Sequence, residues 1–345
     1  MRYLLAFLAA ACIFSCSNNS SSVTATTSNN YFAQTDSGVQ NAGVKLIQIE
    51  TPKGKFNVWT KRIGNNPKIK VLLLHGGPGG DHEFFESFES FFPKEGIEFI
   101  YYDQLGSYFS DQPKDTSLWN LPRFVEEVEQ VRKALNLTKD NFYLLGHSWG
   151  GILAMEYAFK YQDNLKGLII SNMMSSCPLY GRYAEDVLAK QMDPKILDTI
   201  RTLEKNKDFE NPKYMQLLLP NFYAQHLCRL DPWPEALNRA FPHLNNQVYT
   251  QMQGPSEFGI GGNLALWDRS KDLPKIKIPT LTIGGSHDTM DPEQMKWMST
   301  QVQQGNFLLC PNGSHCDMWD DQPHYFPGLI KFIKAVNDGT FSAQK

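Results

Sequence analysis

The chain has 345 residues, of which 41% are hydrophobic and 20% are charged, and its formal net charge is −3. This composition is typical of a globular protein with one large core or two modest ones. Because there is no surplus of basic residues, recognition of nucleic acid or of another polyanion through charge is disfavoured.

The N-terminus has the layout of an export signal. Met1 and Arg2 precede an apolar run over residues 3–14, which is too short to span a bilayer core of about 30 Å. We predict a signal peptide over residues 1–16 and a flexible polar tether over residues 17–42, and hence an exported protein of the cell envelope or periplasm. Residues 13–16 resemble a loose lipobox, which leaves two outcomes open: a lipid on Cys16 that anchors the protein to a membrane, or ordinary cleavage nearby.

Four cysteines lie beyond this leader, and no two of them form a CxxC pair. This spacing disfavours a cysteine-rich zinc module or a disulfide-dense scaffold. We expect mostly buried free thiols at Cys177, Cys228, Cys310 and Cys316.

From residue 45 the sequence alternates between strand and helix patterns. Extended runs closed by Gly, Pro or Asn predict strands, and apolar residues at helical spacing predict helices. In chain order the predicted elements are strands beginning near Lys45, Lys55 and Lys68, a strand over 97–106, a helix from Pro122, a strand over 141–146, a helix over Trp149–Tyr161 and a strand over 166–172. This rhythm indicates a mostly parallel sheet with helices on both faces.

The rhythm stops after Ser171. Residues 175–268 contain helical, Pro-interrupted and aromatic stretches without a clear buried strand, which predicts an inserted helical cap between two core segments, 43–174 and 269–345. The second core segment is predicted to contain a strand over 275–285, a helix near 292–304, a strand over 306–310 and a helix around Tyr325–Val336.

The segment Gly146-His147-Ser148-Trp149-Gly150 joins a predicted strand to a predicted helix. In that context GxSxG is typical of the nucleophile elbow of the α/β-hydrolase fold, where a sharp turn exposes the serine. The alternative is a helix N-terminus that Ser148 merely caps. The apolar strand before the motif and the amphipathic helix after it favour the elbow, so we predict an α/β-hydrolase fold with Ser148 as nucleophile.

A serine nucleophile needs a base, and the base needs an acid that orients it. The order Ser, acid, His along α/β-hydrolase chains excludes the three early histidines at positions 75, 82 and 147. Two late predicted strands end near Asp288 and near His315, which we predict to be the acid and the base. Asp288 could instead form a turn.

Neighbouring candidates fit the acid and base roles less well. Asp291 is better placed to cap the helix that begins at Pro292. His287 precedes the acid, and His324 lies beyond the loop that contains His315.

The oxyanion of the tetrahedral intermediate needs amide donors, one from the residue after the nucleophile and one from an earlier glycine-rich loop. We predict the amides of Trp149 and of Gly77, which lies in the strand-to-loop segment LLLHGGPGG. A phosphate loop is disfavoured because neither GxxxxGK[ST] nor GxGxxG is present. The early histidines and Asp103 lack HExxH spacing, so we predict neither a metal nor another cofactor.

Four segments together resemble the proline iminopeptidase family: HGGPGG at 75–80, YYDQLGSYFSDQP at 101–113, GHSWGG at 146–151 and GPSEF at 254–258. GHSWGG alone would also fit lipases, esterases and peroxidases, but its pairing with HGGPGG is more specific. The resemblance covers nearly all of residues 45–335. It implies release of an N-terminal residue, preferentially proline, from peptides with a free N-terminus, by the same three catalytic residues.

The resemblance also implies that carboxylates from the cap bind the amino group of the substrate. Glu257 of GPSEF matches one such position, and a buried carboxylate facing an ammonium group would reject acylated or extended chains. Glu257 could instead be a surface or helix-capping residue. Asp231 and Glu235 are candidates for the partner carboxylate.

The chain departs from the family pattern at Leu105 and at residues 107–109, where many relatives carry DQRGxGxS. This loop is expected to border the site, which puts the breadth of substrate choice in doubt. A capped esterase or lactonase would use the same triad without an amine anchor. A surface-tethered binding protein is disfavoured by the complete Ser, Asp and His set, and the oligomeric state stays open.

Overall fold

The computed structural model describes Tyr31 and residues 41–344. The predicted leader with Cys16 lies outside the described residues, as does most of the predicted tether. Tyr31 belongs to that tether, and its hydroxyl donates a hydrogen bond of 2.6 Å to the carbonyl of Ile97. In the described part of the chain, no helix is both long and apolar enough to cross a membrane.

In the part of the chain that the structure describes, eight strands form one sheet in the order β1-β2-β4-β3-β5-β6-β7-β8. The strands are β1 Val44–Thr51, β2 Gly54–Ile63, β3 Lys70–Leu74, β4 Glu98–Asp103, β5 Phe142–His147, β6 Gly167–Ser171, β7 Pro279–Gly285 and β8 Gln304–Cys310. β2 is antiparallel to both of its neighbours, and every other pair is parallel. The predicted mostly parallel sheet is therefore confirmed.

Eleven α-helices lie in the described residues. They are α1 Leu121–Ala134, α2 Trp149–Tyr161, α3 Cys177–Tyr183, α4 Pro194–Lys205, α5 Pro212–Leu218, α6 Ala224–His226, α7 Glu235–His243, α8 Asn246–Met252, α9 Pro292–Gln301, α10 Asp317–Asp320 and α11 Gln322–Asn337. Side chains of β3 alternate between the two faces of the sheet, as strand geometry requires. Leu72 belongs to an apolar cluster with side chains of α1, α2 and α9 on one face, and Val71 belongs to a cluster with side chains of α11 on the other.

The cap lies between β6 and β7 and contains α3 to α8. It has its own apolar cluster, which includes Ile200, Leu218 and Phe222. Ser176 and Asp268 form an antiparallel bridge that brings the two ends of this insertion together. The helical character of the insertion agrees with the fold predicted from the sequence.

Several local features differ in detail from the predictions. The Phe-rich stretch to which no element was assigned is a 3-10 helix over His82–Ser90. Helix α9 ends at Gln301, and α11 begins at Gln322, so it is longer at its N-terminus than expected. The four cysteines of the described chain are free and buried, as predicted.

Candidate active site

Ser148 occupies a strained turn between β5 and α2. Its backbone angles are φ 55° and ψ −127°, a region that residues other than glycine rarely adopt. A Cβ at Gly146 would overlap the carbonyl of Gly150, and a Cβ at Gly150 would overlap the carbonyl of Leu74. Because only glycine fits at both positions, the chain can turn sharply enough to present Ser148 at the carboxyl end of the parallel strands.

Asp288 and His315 form a buried hydrogen-bonded pair. Nδ1 of His315 lies 2.8 Å from Oδ1 of Asp288, and the amide of Met290 donates to the same oxygen at 3.0 Å. Burial by itself lowers the pKa of His315, but the charge and hydrogen bond of Asp288 outweigh it, so the pKa is raised. His315 lines the same cavity as Ser148, so the structure brings the three predicted residues together.

Asn172, which sequence reasoning missed, supports Asp288 from the other side. It follows β6 directly with φ 53°, and its Nδ2 donates to Oδ2 of Asp288 at 2.8 Å and to Oδ2 of Asp317 at 3.1 Å. Burial and then the charge of Asp288 raise the pKa of Asp317 well above its usual value. Of these two carboxyl groups, Asp288 is the one that faces His315. The only signal in the sequence was an asparagine at a strand end, and that signal does not indicate a contact with Asp288 or Asp317.

The two predicted oxyanion donors are the residue after the nucleophile and a glycine that lines the cavity with Ser148. Trp149 is the first residue of α2, so its amide has no acceptor within the helix. Its indole Nε1 donates to Oε1 of Gln104 at 2.8 Å, which anchors this end of the helix. Gly77 lines the cavity with φ 107°, where its lack of a Cβ leaves the loop backbone close to the substrate space.

Glu257 lines the same cavity and is held by three tyrosines. Its Oε1 accepts from the Tyr249 hydroxyl at 2.6 Å, its amide donates to the Tyr223 hydroxyl at 3.1 Å, and its carbonyl accepts from the Tyr180 hydroxyl at 2.5 Å. Burial raises the pKa of the Glu257 carboxyl, against the lowering effects of His315 and Tyr249. A carboxylate in this setting would be stabilised by a cation placed in the cavity.

The two candidates for a partner carboxylate do not reach the cavity. Asp231 and Glu235 are exposed, and Glu235 forms an ion pair with Arg239 on its own helix. The second carboxylate that lines the cavity is Glu210, an exposed residue that the sequence reasoning missed.

The loop that departs from the family pattern does not border the cavity, so that expectation is wrong. None of residues 105–109 lines it. The Leu105 amide instead donates to Glu127 at 2.8 Å, and the ring of Tyr108 stacks on His243 of the cap at 3.7 Å. The loop therefore contacts the cap rather than the substrate space.

The three early histidines serve as neutral or paired groups around the site. Both ring nitrogens of His75 are hydrogen-bonded to backbone, and burial lowers its pKa to about 4. His82 pairs with Asp103 at 2.9 Å. Burial lowers the pKa of His147 well below its usual value, and its ring centre lies 5.0 Å from that of His315.

The cavity has a volume of about 390 Å³. Besides the polar residues above, it is lined by aromatic side chains, among them Phe84, Phe209, Tyr214, Tyr223, Phe241 and Tyr249. Aromatic walls with a few placed polar groups are typical of a site for a small ligand or for one residue of a chain.

Comparison with known proteins shows the family of this chain. Residues 70–322 match the family model of the α/β hydrolase fold. The chain is 65% identical over 293 residues to the proline iminopeptidase of Flavobacterium johnsoniae, a match that covers 85% of this chain and 99% of that protein. It is 60% identical over 299 residues to the proline iminopeptidase of Elizabethkingia meningoseptica, covering 86% and 100%.

The chain belongs to the proline iminopeptidase family. A solved proline iminopeptidase, from Mycobacterium smegmatis, is 27% identical with a TM-score of 0.75, and the match covers 85% of this chain and 99% of that one. The resemblance predicted from HGGPGG, GHSWGG and GPSEF is therefore confirmed.

Proposed function

We propose that this protein removes N-terminal residues, preferentially proline, from peptides through an acyl-enzyme intermediate. Membership of the proline iminopeptidase family supports this reaction. The observation that carries the assignment is that the carboxylate of Glu257 lines the same cavity as Ser148 and His315. A group that can bind the substrate amine thus lines the same cavity as the groups that can cleave the peptide bond after the N-terminal residue.

In the proposed mechanism, Oγ of Ser148 attacks the carbonyl carbon of the N-terminal residue while His315 accepts the hydroxyl proton. Asp288 keeps the imidazole oriented and stabilises the imidazolium that forms. The amides of Gly77 and Trp149 donate to the oxyanion of the tetrahedral intermediate. The imidazolium then protonates the leaving amine, and a water molecule, deprotonated by His315, hydrolyses the acyl-enzyme.

Specificity for the chain terminus follows from the charge and closure of the cavity. An ammonium group that faces Glu257 gains a charge-assisted hydrogen bond in a setting with little solvent. An acylated amine carries no positive charge, so it gains no such contact with Glu257. Glu257 thus favours substrates whose amine is free.

The test compares three substrates: a proline arylamide, its N-acetyl derivative and a small ester without an amine. We expect the wild-type enzyme to prefer the free arylamide to its N-acetyl derivative. Ser148→Ala should abolish hydrolysis of the free arylamide and retain the circular dichroism spectrum of the wild type. Turnover of the arylamide by Ser148→Ala would refute the assigned nucleophile. Turnover of the ester with no preference for the free arylamide over its N-acetyl derivative would favour the capped esterase or lactonase instead.

We also propose that the protein is exported to the cell envelope, with the predicted signal peptide removed. The support is the apolar run after Arg2 and the polar tract that follows it. Mass spectrometry of the mature N-terminus tests this proposal. A diacylglyceryl mass on Cys16 would establish the lipid anchor, a cut elsewhere would exclude it, and an intact N-terminus would refute export by cleavage.

A further inference from the structure

A second cluster of ionisable side chains lies where the cap meets the core. Asp81 and Glu83 are at the start of the 3-10 helix that follows the HGGPGG loop, and His243 is the last residue of α7 in the cap. One ligand atom from each of the three lies within 4.8 Å of the others. Nδ1 of His243 is 2.9 Å from Oε2 of Glu83 and 3.6 Å from Oδ2 of Asp81.

One oxygen of this cluster is buried without a hydrogen bond. The side chain of Asp81 is fully buried, and its Oδ1 accepts from the amide of Glu83 at 2.9 Å. Its Oδ2, directed into the cluster, has no hydrogen-bond partner among the described residues. An unpaired buried acceptor is unfavourable, and a cation beside it would remove that cost.

We propose that Asp81, Glu83 and His243 form a zinc site that joins the cap to the core. Tetrahedral Zn²⁺ with bonds of about 2.0–2.1 Å places its ligand atoms about 3.4 Å apart. The two separations measured from His243 Nδ1, 2.9 and 3.6 Å, lie on either side of that value. An imidazole together with two carboxylates suits Zn²⁺ better than Mg²⁺ or Ca²⁺, which prefer oxygen ligands alone.

Neighbouring residues orient two of the three ligands. Tyr108 stacks on the ring of His243 with centres 3.7 Å apart and planes at 12°. Nε of Arg239 lies 2.9 Å from Oε1 of Glu83, which leaves Oε2 directed at His243. Such supporting contacts are typical of metal sites. The side chain of His243 is 28% exposed, so an ion can reach the cluster from solvent.

The competing explanation is that a proton on Nδ1 of His243, shared by the two carboxylates, makes the same contacts without an ion. Calorimetric titration of the tag-free full chain with Zn²⁺, after removal of metals by a chelator, distinguishes the two. At about pH 8, we expect Zn²⁺ to bind at this site and to raise the melting temperature of the wild type. Mg²⁺ should do neither.

Asp81→Asn and His243→Gln should each weaken the binding of Zn²⁺ by roughly 10- to 100-fold or more. That range is typical of changes in residues that only support a metal ligand, and these two residues are themselves ligands. Asp81→Asn retains the side-chain oxygen that accepts from the amide of Glu83, so it is expected to fold. The matched control is His324→Gln, which removes a histidine that also faces a carboxylate, Asp321, at 2.7 Å. The control should bind Zn²⁺ as the wild type does.

The proposal is overturned if the wild type does not bind Zn²⁺, or if both variants bind it as tightly as the wild type. If a variant fails to fold, the visible spectrum of the Co²⁺-loaded wild type decides. Intense bands typical of four- or five-coordinate Co²⁺ with nitrogen and oxygen ligands support the site. A thiolate-to-cobalt band, or no such bands, overturns it, because the site contains no cysteine.

Discussion

Nδ2 of Asn172 donates a hydrogen bond of 2.8 Å to Oδ2 of Asp288, while the other oxygen of that carboxylate faces Nδ1 of His315. The two contacts leave the carboxylate little rotational freedom. Because the proposed mechanism depends on the orientation of the imidazole, Asn172 is a positioning residue that acts through Asp288.

Asn172→Gly should lower kcat and leave KM nearly unchanged. Glycine tolerates the φ of 53° at this position, so the substitution removes the hydrogen bonds and not the backbone conformation. We expect a loss of roughly 10- to 1000-fold, below the roughly 10⁴-fold loss typical of disabling the acid itself. Steady-state kinetics with a proline arylamide would measure it.

The matched control for Asn172→Gly is Asn136→Gly. Asn136 has φ 52° and is exposed, so this variant should keep wild-type kinetics. An Asn172→Gly enzyme with wild-type kcat, or with a loss confined to KM, would contradict the positioning role.

Glu257→Gln should weaken free-amine substrates selectively. Loss of a charge-assisted contact costs about 1.5–3 kcal/mol, which corresponds to roughly a 10- to 150-fold decrease in kcat/KM for a proline arylamide. Hydrolysis of a small ester without an amine should change little. Glu210→Gln removes the exposed carboxylate of the same cavity and should have a smaller effect because water screens that charge. Equal losses on the arylamide and the ester would argue against an amine anchor.

The rate of ester hydrolysis should fall on the acid side of the pH profile. His315 must be neutral to accept the proton of Ser148, and its pKa is raised, so activity is lost as the pH falls through a value above the ordinary 6.5 of histidine. An ester without an amine isolates this group from the titration of the substrate. A profile of kcat/KM that stays flat well below pH 6.5 would be inconsistent with His315 as the base.

Gly150→Ala should strongly destabilise the fold. The added methyl group would overlap the carbonyl of Leu74 at the junction of β3 and the elbow, and neither backbone segment can move without disturbing the sheet. We expect a loss of about 3 kcal/mol or more in the free energy of unfolding, at or beyond the upper end for overpacking. Gly181→Ala is the control, since a Cβ there meets open space. Thermal or denaturant unfolding would measure both, and equal stabilities would show that the elbow tolerates a side chain.

Much of the architecture could be predicted because it depends on local patterns. Alternating apolar runs set the strands, and the glycines around Ser148 set the elbow, since these features act through neighbours in the chain. The order of the triad along the chain then limited the acid and base to late loops, and the structure brings Asp288 and His315 together there.

Features that depend on distant partners could not be predicted in this way. Asn172 and Asp288 are 116 positions apart in the sequence, and no residue near Asn172 indicates that their side chains are hydrogen-bonded. The cap residues show the same limit, because the candidates Asp231 and Glu235 do not line the cavity, whereas Glu210 does.

The sequence by itself determined the fold class, the elbow and the acyl-transfer chemistry, because backbone geometry and residue order are properties of short segments. Only the tertiary structure decided which carboxylates of the cap line the cavity with Ser148, and that His243 meets Asp81 and Glu83 across the boundary between cap and core. Burial and charge pairing arise only when separate segments pack together, so these relationships appear only in the folded chain.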